Sequence, residues 1–160
     1  MAPRMAGVRS NMMYQRILVP VDGSDCANRG LSEAMALARL TGAHIRLVHV
    51  VDEPLVAIGA DVAAGAAEDL IAIARDAARQ VLADATEKVR LADIQVSDVL
   101  LDSFDGRVCD LVINAVKTWS ADLVVIGTHG RRGVGRMLLG SDAEQILRLS
   151  PVPVLLVRHQ

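Results

Sequence analysis

The sequence predicts an α/β domain: a five-stranded parallel sheet in the order 3-2-1-4-5, with helices on both faces. Three observations lead there. Short apolar runs alternate with helix-period stretches from end to end, the pattern of repeated strand–helix–strand units. The first and fourth runs are continuously apolar, as central strands buried on both faces are; the third is mixed and the fifth contains Pro153, which suits sheet edges. The chain has 160 residues, the size of one domain with a substantial core. With right-handed crossovers, the order 3-2-1-4-5 puts each run where its polarity belongs.

The elements follow in order. Residues 16–21, RILVPV, form the first strand. The helix at 26–41 turns Ala27, Leu31, Ala34 and Ala38 inward, with Ser24 or Asp25 to cap its start and Gly42 to end it. Residues 44–50 make the second strand, and 51–65, with Pro and several Gly, reads as a loop. A long helix over 66–91 carries the stripe Leu70, Ala74, Ala77, Val81, Ala85 and Val89. The third strand spans 94–101. The helix at 106–118 has Val108, Leu111, Val112 and Ala115 at i, i+3, i+4 and i+7. Residues 122–126 are the fourth strand, 141–149 a short helix stopped by Pro151, and 153–157 the fifth strand.

Composition narrows the function. Apolar residues make up 52% of the chain but aromatics only 2%, so the core is aliphatic. A net charge of −2 and few stacking rings argue against nucleic-acid binding. Mean hydropathy is +0.34, yet no apolar run reaches membrane-spanning length. Cys26 and Cys109 lie far apart on apolar helix faces, without zinc spacing, and read as buried thiols of a cytoplasmic protein. The first residues, MAPRMAGVRSNMM, lack the apolar centre of a secretory signal. The expectation is a disordered extension over 1–13 and a single domain over 14–160.

The stretch 127–141, GTHGRRGVGRMLLGS, holds five glycines and three arginines between the fourth strand and the last helix. In this strand order the winding reverses between strands one and four, and doubly wound sheets bind ligands in that crevice. Glycine admits a ligand close to the backbone, and a helix amino terminus offers unpaired N–H groups to anions. Arg131, Arg132 and Arg136 add paired donors for phosphate oxygens. The turn is not a Walker A loop, since no lysine stands in place, and no G-x-G-x-x-G follows strand one.

The spacing Gly127-x2-Gly130-x9-Gly140-Ser141 resembles the ATP-binding signature of the universal stress proteins. The stretches ILVPVDGS, VHVVD and SPVPVLLVR resemble the same family, so that the likeness covers nearly the whole chain. It implies a Rossmann-like fold of the adenine nucleotide alpha hydrolase type. It also implies ATP in the crevice, with Asp22 on the ribose, the Val50 backbone on adenine, and Pro20 and Val21 as floor. Gly127, Gly130, Gly140 and Ser141 would hold the phosphates, with Thr128 inside the same turn. The arginines are assigned to phosphate on charge and position alone. A divalent ion, Mg2+ or Mn2+, would ride on the phosphates rather than in a site of its own. The family also implies homodimers joined through the last strand, 152–157; an apolar edge strand gains from such pairing.

Plainer readings stand beside these. Ser141 with Glu144 has the form of a capping box. Asp22 suits a turn, and Pro20 a bulge. His129 has no visible partner for base catalysis, so any ATP turnover should be slow. Trp119 reads as packing, His49 as a satisfied strand residue, and His44 carries no signal. The competing functions are a slow ATPase or phosphotransferase using His129 or Asp22, and a dimeric partner-binding domain with an empty cleft. AMP and cyclic AMP would share the adenosine contacts of ATP.

Overall fold

Five strands and four helices alternate among the residues that the computed structural model describes, 13–51, 64–103, 106–128 and 140–158. They are β1 (Arg16–Pro20), α1 (Asp25–Thr41), β2 (His44–Val51), α2 (Ala64–Arg90), β3 (Val96–Asp102), α3 (Val108–Trp119), β4 (Leu123–Gly127), α4 (Ser141–Leu149) and β5 (Val154–Val157). The sheet is parallel in the order β3-β2-β1-β4-β5, as expected. Most of the extension 1–13, residues 52–63 of the expected loop, and 129–139 lie outside the described residues.

Burial explains the order. Every residue of β4 is buried, and Ile17, Leu18 and Val19 of β1 are fully so. Side-chain alternation divides them between two cores. Ile17, Val19, Ile45, Leu47, Leu123 and Val125 pack under α1 and α2. Leu18, Val48, Val124 and Ile126 pack under α3 and α4. Each large aliphatic side chain so buried stabilises the fold by about 1.5–3 kcal/mol.

Local chemistry sets the helix ends. Ser24 Oγ accepts the Ala27 N–H at 3.2 Å and caps α1, and Gly42 closes it at φ 71°. The α2 stripe differs from expectation. Ala78, Leu82, Ala85, Thr86 and Val89 face the core, whereas Leu70 and Ala77 are exposed. An alanine-rich helix offers more than one apolar stripe, and periodicity does not choose between them. On α3 the buried face is Cys109, Val112, Ile113, Ala115 and Val116. The proposed capping box does not form. Ser141 is the first residue of α4, Gly140 is its cap, and no side chain caps this helix. Both cysteines are buried free thiols.

Candidate functional site

The crevice opens where β1 and β4 part. Their pairing comprises Ile17 with Leu123 and Leu18 with Val124, and ends there. Beyond it, β1 runs on beside β2 as far as Pro20 opposite Val48. The chain then leaves β1 for α1 on one face, and β4 for α4 on the other. Two adjacent strands whose connections depart to opposite faces leave a gap at their carboxyl ends.

Pro20 fits this geometry without a bulge. The Val21 N–H donates to the Val48 carbonyl at 2.8 Å, so Val21 faces β2. Alternation turns Pro20 toward β4, where the strands have separated and no ladder bond is lost. The same parity directs the main-chain polar groups of Val50 toward β1, past its last pair with β2. Val21 is buried and Val50 half-buried at this rim. Asp22 is half-buried, and its Oδ1 accepts the Ser24 N–H at 2.9 Å. It therefore holds the turn between β1 and α1, as the plainer reading expects.

Gly127 is fixed by packing. A Cβ there would lie 2.7 Å from both the carbonyl carbon and oxygen of Cys26, and 2.9 Å from its sulfur. The first turn of α1 thus sits directly on the end of β4. Gly30, one turn on, is the matching gap: its Cβ would lie 3.3 Å from the Gly127 nitrogen. Sequence reasoning passed over Gly30, although an isolated glycine inside a helix is a signal of close approach.

Thr128 is buried and commits its main chain on both sides. Its N–H donates to the Val157 carbonyl at 2.8 Å, and its carbonyl accepts the Gly140 N–H at 2.8 Å. The second bond closes the base of the segment 129–139. It also occupies the Gly140 amide, which leaves the first N–H groups of α4 as the open donors among the described residues of this corner. The Glu144 N–H returns to the Gly140 carbonyl at 2.9 Å, as a helix requires. Asp142 and Glu144 lie exposed in the first turn, and Arg148 pairs with Glu144 at 3.6 Å. Behind the helix, the Cys109 thiol donates to Gln145 Oε1 at 3.0 Å and pins α4 to α3. Burial, then the Asp110 charge, pushes that thiol up from its ordinary pKa.

Pro20, Val21, Asp22, Val50, Gly127, Thr128, Gly140 and Ser141 thus lie at the carboxyl ends of β1, β2 and β4 or at the start of α4. Gly130, Arg131, Arg132, Arg136 and His129 fall outside the described residues. No group of three or more His, Cys, Asp or Glu side chains suited to a metal occurs among the described residues.

This strand order and crevice define a doubly wound parallel α/β domain, and comparison with known proteins places it. The model of the universal stress protein family matches residues 13–158, and the chain belongs to that family. A universal stress protein of Thermus aquaticus, from the QAH/OAS sulfhydrylase 3'region, is 33% identical over 146 residues, 91% of this chain and 100% of its own. The structure of hypothetical protein MJ0577 matches in fold with a TM-score of 0.81 at 24% identity, covering 92% of this chain and 98% of that one. A universal stress protein from Archaeoglobus fulgidus, solved in complex with dAMP, has a TM-score of 0.64 at 26% identity, covering 91% and 98%.

Proposed function

We propose that this chain is a nucleotide-binding regulatory module that takes ATP in the crevice between β1 and β4. The observation that carries this is the corner at α4. A helix amino terminus without a side-chain cap stands beside the parted strands, on a segment closed at its base by the Thr128–Gly140 bond. The first amides of α4, beginning at Ser141, point donors at an anion, and Gly140 presents no side chain in the way. Gly127 and Thr128 set the height of this corner. Gly130, Arg131, Arg132 and Arg136 supply the remaining backbone and the positive charge that offsets Asp142 and Glu144. Val50 offers main-chain groups to adenine over a floor of Pro20 and Val21, and Asp22 takes the ribose hydroxyls. Mg2+ or Mn2+ accompanies the phosphates. The bound dAMP of the Archaeoglobus fulgidus protein supports an adenine nucleotide here.

In this reading the nucleotide changes the surface offered to a protein partner. The chain acts in the cytoplasm as a homodimer joined along 152–157. No helix among the described residues is long and apolar enough to cross a membrane. Turnover is slow, because no side chain among the described residues is placed to activate water.

Calorimetric titration with ATP tests the assignment, using wild type, Gly130→Val and Gly140→Val. Gly140 has φ −59° and ψ 145°, which valine tolerates, so that variant should fold. Wild type should bind and melt higher with ATP, and both variants should bind at least about tenfold more weakly. A wild type that ignores ATP, or variants that match it, would refute the proposal.

A further inference from the structure

The amino end of the sheet, roughly 13 Å from the crevice along β1, gathers an unusual set of basic side chains. Arg16 opens β1, His44 opens β2, and the two are register partners. Arg46 follows two residues later and therefore shares their face of the sheet. That face lies under α3, whose last residue is Trp119. The His44 ring meets the indole edge-on, with centroids 5.3 Å apart and planes at 83°. The guanidinium carbons of Arg46 and Arg16 lie 4.8 and 5.9 Å from the indole centroid. Arg16 Nη1 donates to the Trp119 carbonyl at 2.8 Å, and Arg46 Nε donates to Ser97 Oγ at 3.1 Å.

These bonds hold both forks in place but use only one donor of each. Neither guanidinium has a carboxylate partner among the described residues. Asp122 spends its two oxygens on the N–H groups of Gln15 and Arg16, at 2.7 and 3.0 Å. Cation–π attraction of about 0.5–2 kcal/mol per arginine offsets part of the mutual repulsion. The rest shows on His44. Burial, Arg46 and Arg16 hold its pKa below the ordinary value, and its Nε2 is buried without a hydrogen-bond partner.

We propose that Arg16 and Arg46, braced on Trp119, form a second anion site that takes a phosphate group, distinct from the nucleotide crevice. Two pre-positioned forks with several free N–H donors suit a tetrahedral dianion. Such an ion neutralises both guanidiniums, where a single carboxylate neutralises one. The group arrives either as inorganic phosphate or as the phosphate of a small monoester.

The chain has one tryptophan, so its fluorescence reads this site directly. The full chain is titrated with inorganic phosphate and separately with glycerol phosphate, each against chloride at equal ionic strength. A saturable change in Trp119 emission with phosphate supports the site, and saturation with glycerol phosphate as well extends it to monoesters. Arg16→Gln and Arg46→Gln should each weaken binding by about tenfold. Arg46→Lys, which keeps charge and loses the fork, should weaken it too. In parallel, the His44 titration followed by NMR should move upward when phosphate is bound. A phosphate response indistinguishable from chloride, or one unchanged in a folded double Arg→Gln variant, overturns the proposal. The wild-type titration decides even if the double variant does not fold, and neither outcome depends on ATP binding in the crevice.

Discussion

Gly127→Ala isolates the contact that shapes the crevice. The new Cβ would stand 2.7 Å from the Cys26 carbonyl carbon and oxygen. Ordinary non-bonded carbon contacts lie near 3.5–4.0 Å, so one side must retreat by about 0.8 Å or more. Neither side gives easily. Gly127 is paired with Val157 in the sheet, and the first turn of α1 is capped by Ser24. Overpacking costs about 1–3 kcal/mol, and backbone against backbone belongs in the upper half of that range. For a chain of this size that lowers Tm by about 4–12 °C. The conformation at Gly127 is open to alanine, so the whole effect is one of space. Urea unfolding with calorimetry measures it. Adding Cys26→Ala should recover little, because it removes only the 2.9 Å sulfur contact. Gly30→Ala serves as the control. Its closest approach is 3.3 Å, and about 1 kcal/mol of helix propensity favours alanine, so the net change should be under about 1 kcal/mol. If Gly127→Ala stays within about 0.5 kcal/mol of wild type, or Cys26→Ala restores it fully, the close-approach reasoning fails.

Two further outcomes are expected. Ser24→Ala removes the α1 cap and should cost about 1 kcal/mol, read as a lower urea midpoint at unchanged m; an unmoved midpoint would deny the cap its role. His44 contributes a pH dependence of definite sign. Its folded pKa is held below 6.5 by burial, Arg46 and Arg16, so below that pH the unfolded chain takes up a proton that the folded chain refuses. The stability it contributes is complete above about pH 6.5 and is lost as pH falls through the folded pKa. His44→Gln should flatten the profile between pH 7 and the acid limb, and parallel wild-type and variant curves would contradict this.

Sheet order was legible because exposure is written into strand composition: β4 has only apolar residues and glycine, while β3 carries Ser97 and Asp98. Pro20 pointed to the crevice by breaking a rule of central strands, and parity shows which side had no bond to lose. The α2 stripe was read correctly at Ala85 and Val89 but not at Leu70 and Ala77, because alanine on several sides leaves the inward face to tertiary packing. Ser141 and Glu144 have the residues of a capping box, but Gly140 takes the cap position, and one residue of offset removes the geometry. The Arg16–His44–Arg46–Trp119 cluster was invisible for a different reason. Its members come from three elements and meet only through strand register and the end of α3.

Thr128 is a rivet joining three plates. Its main chain is fastened to Val157 on the outermost strand and to Gly140 at the foot of α4. Its hydroxyl lies 3.7 Å from the Cys26 sulfur, which in turn reaches the Val157 carbonyl at 3.4 Å. No long side chain intervenes to absorb displacement. The last helix's foot and the sheet's outer rim are therefore tied through one residue's main chain, so that neither can move far without breaking one of these two bonds.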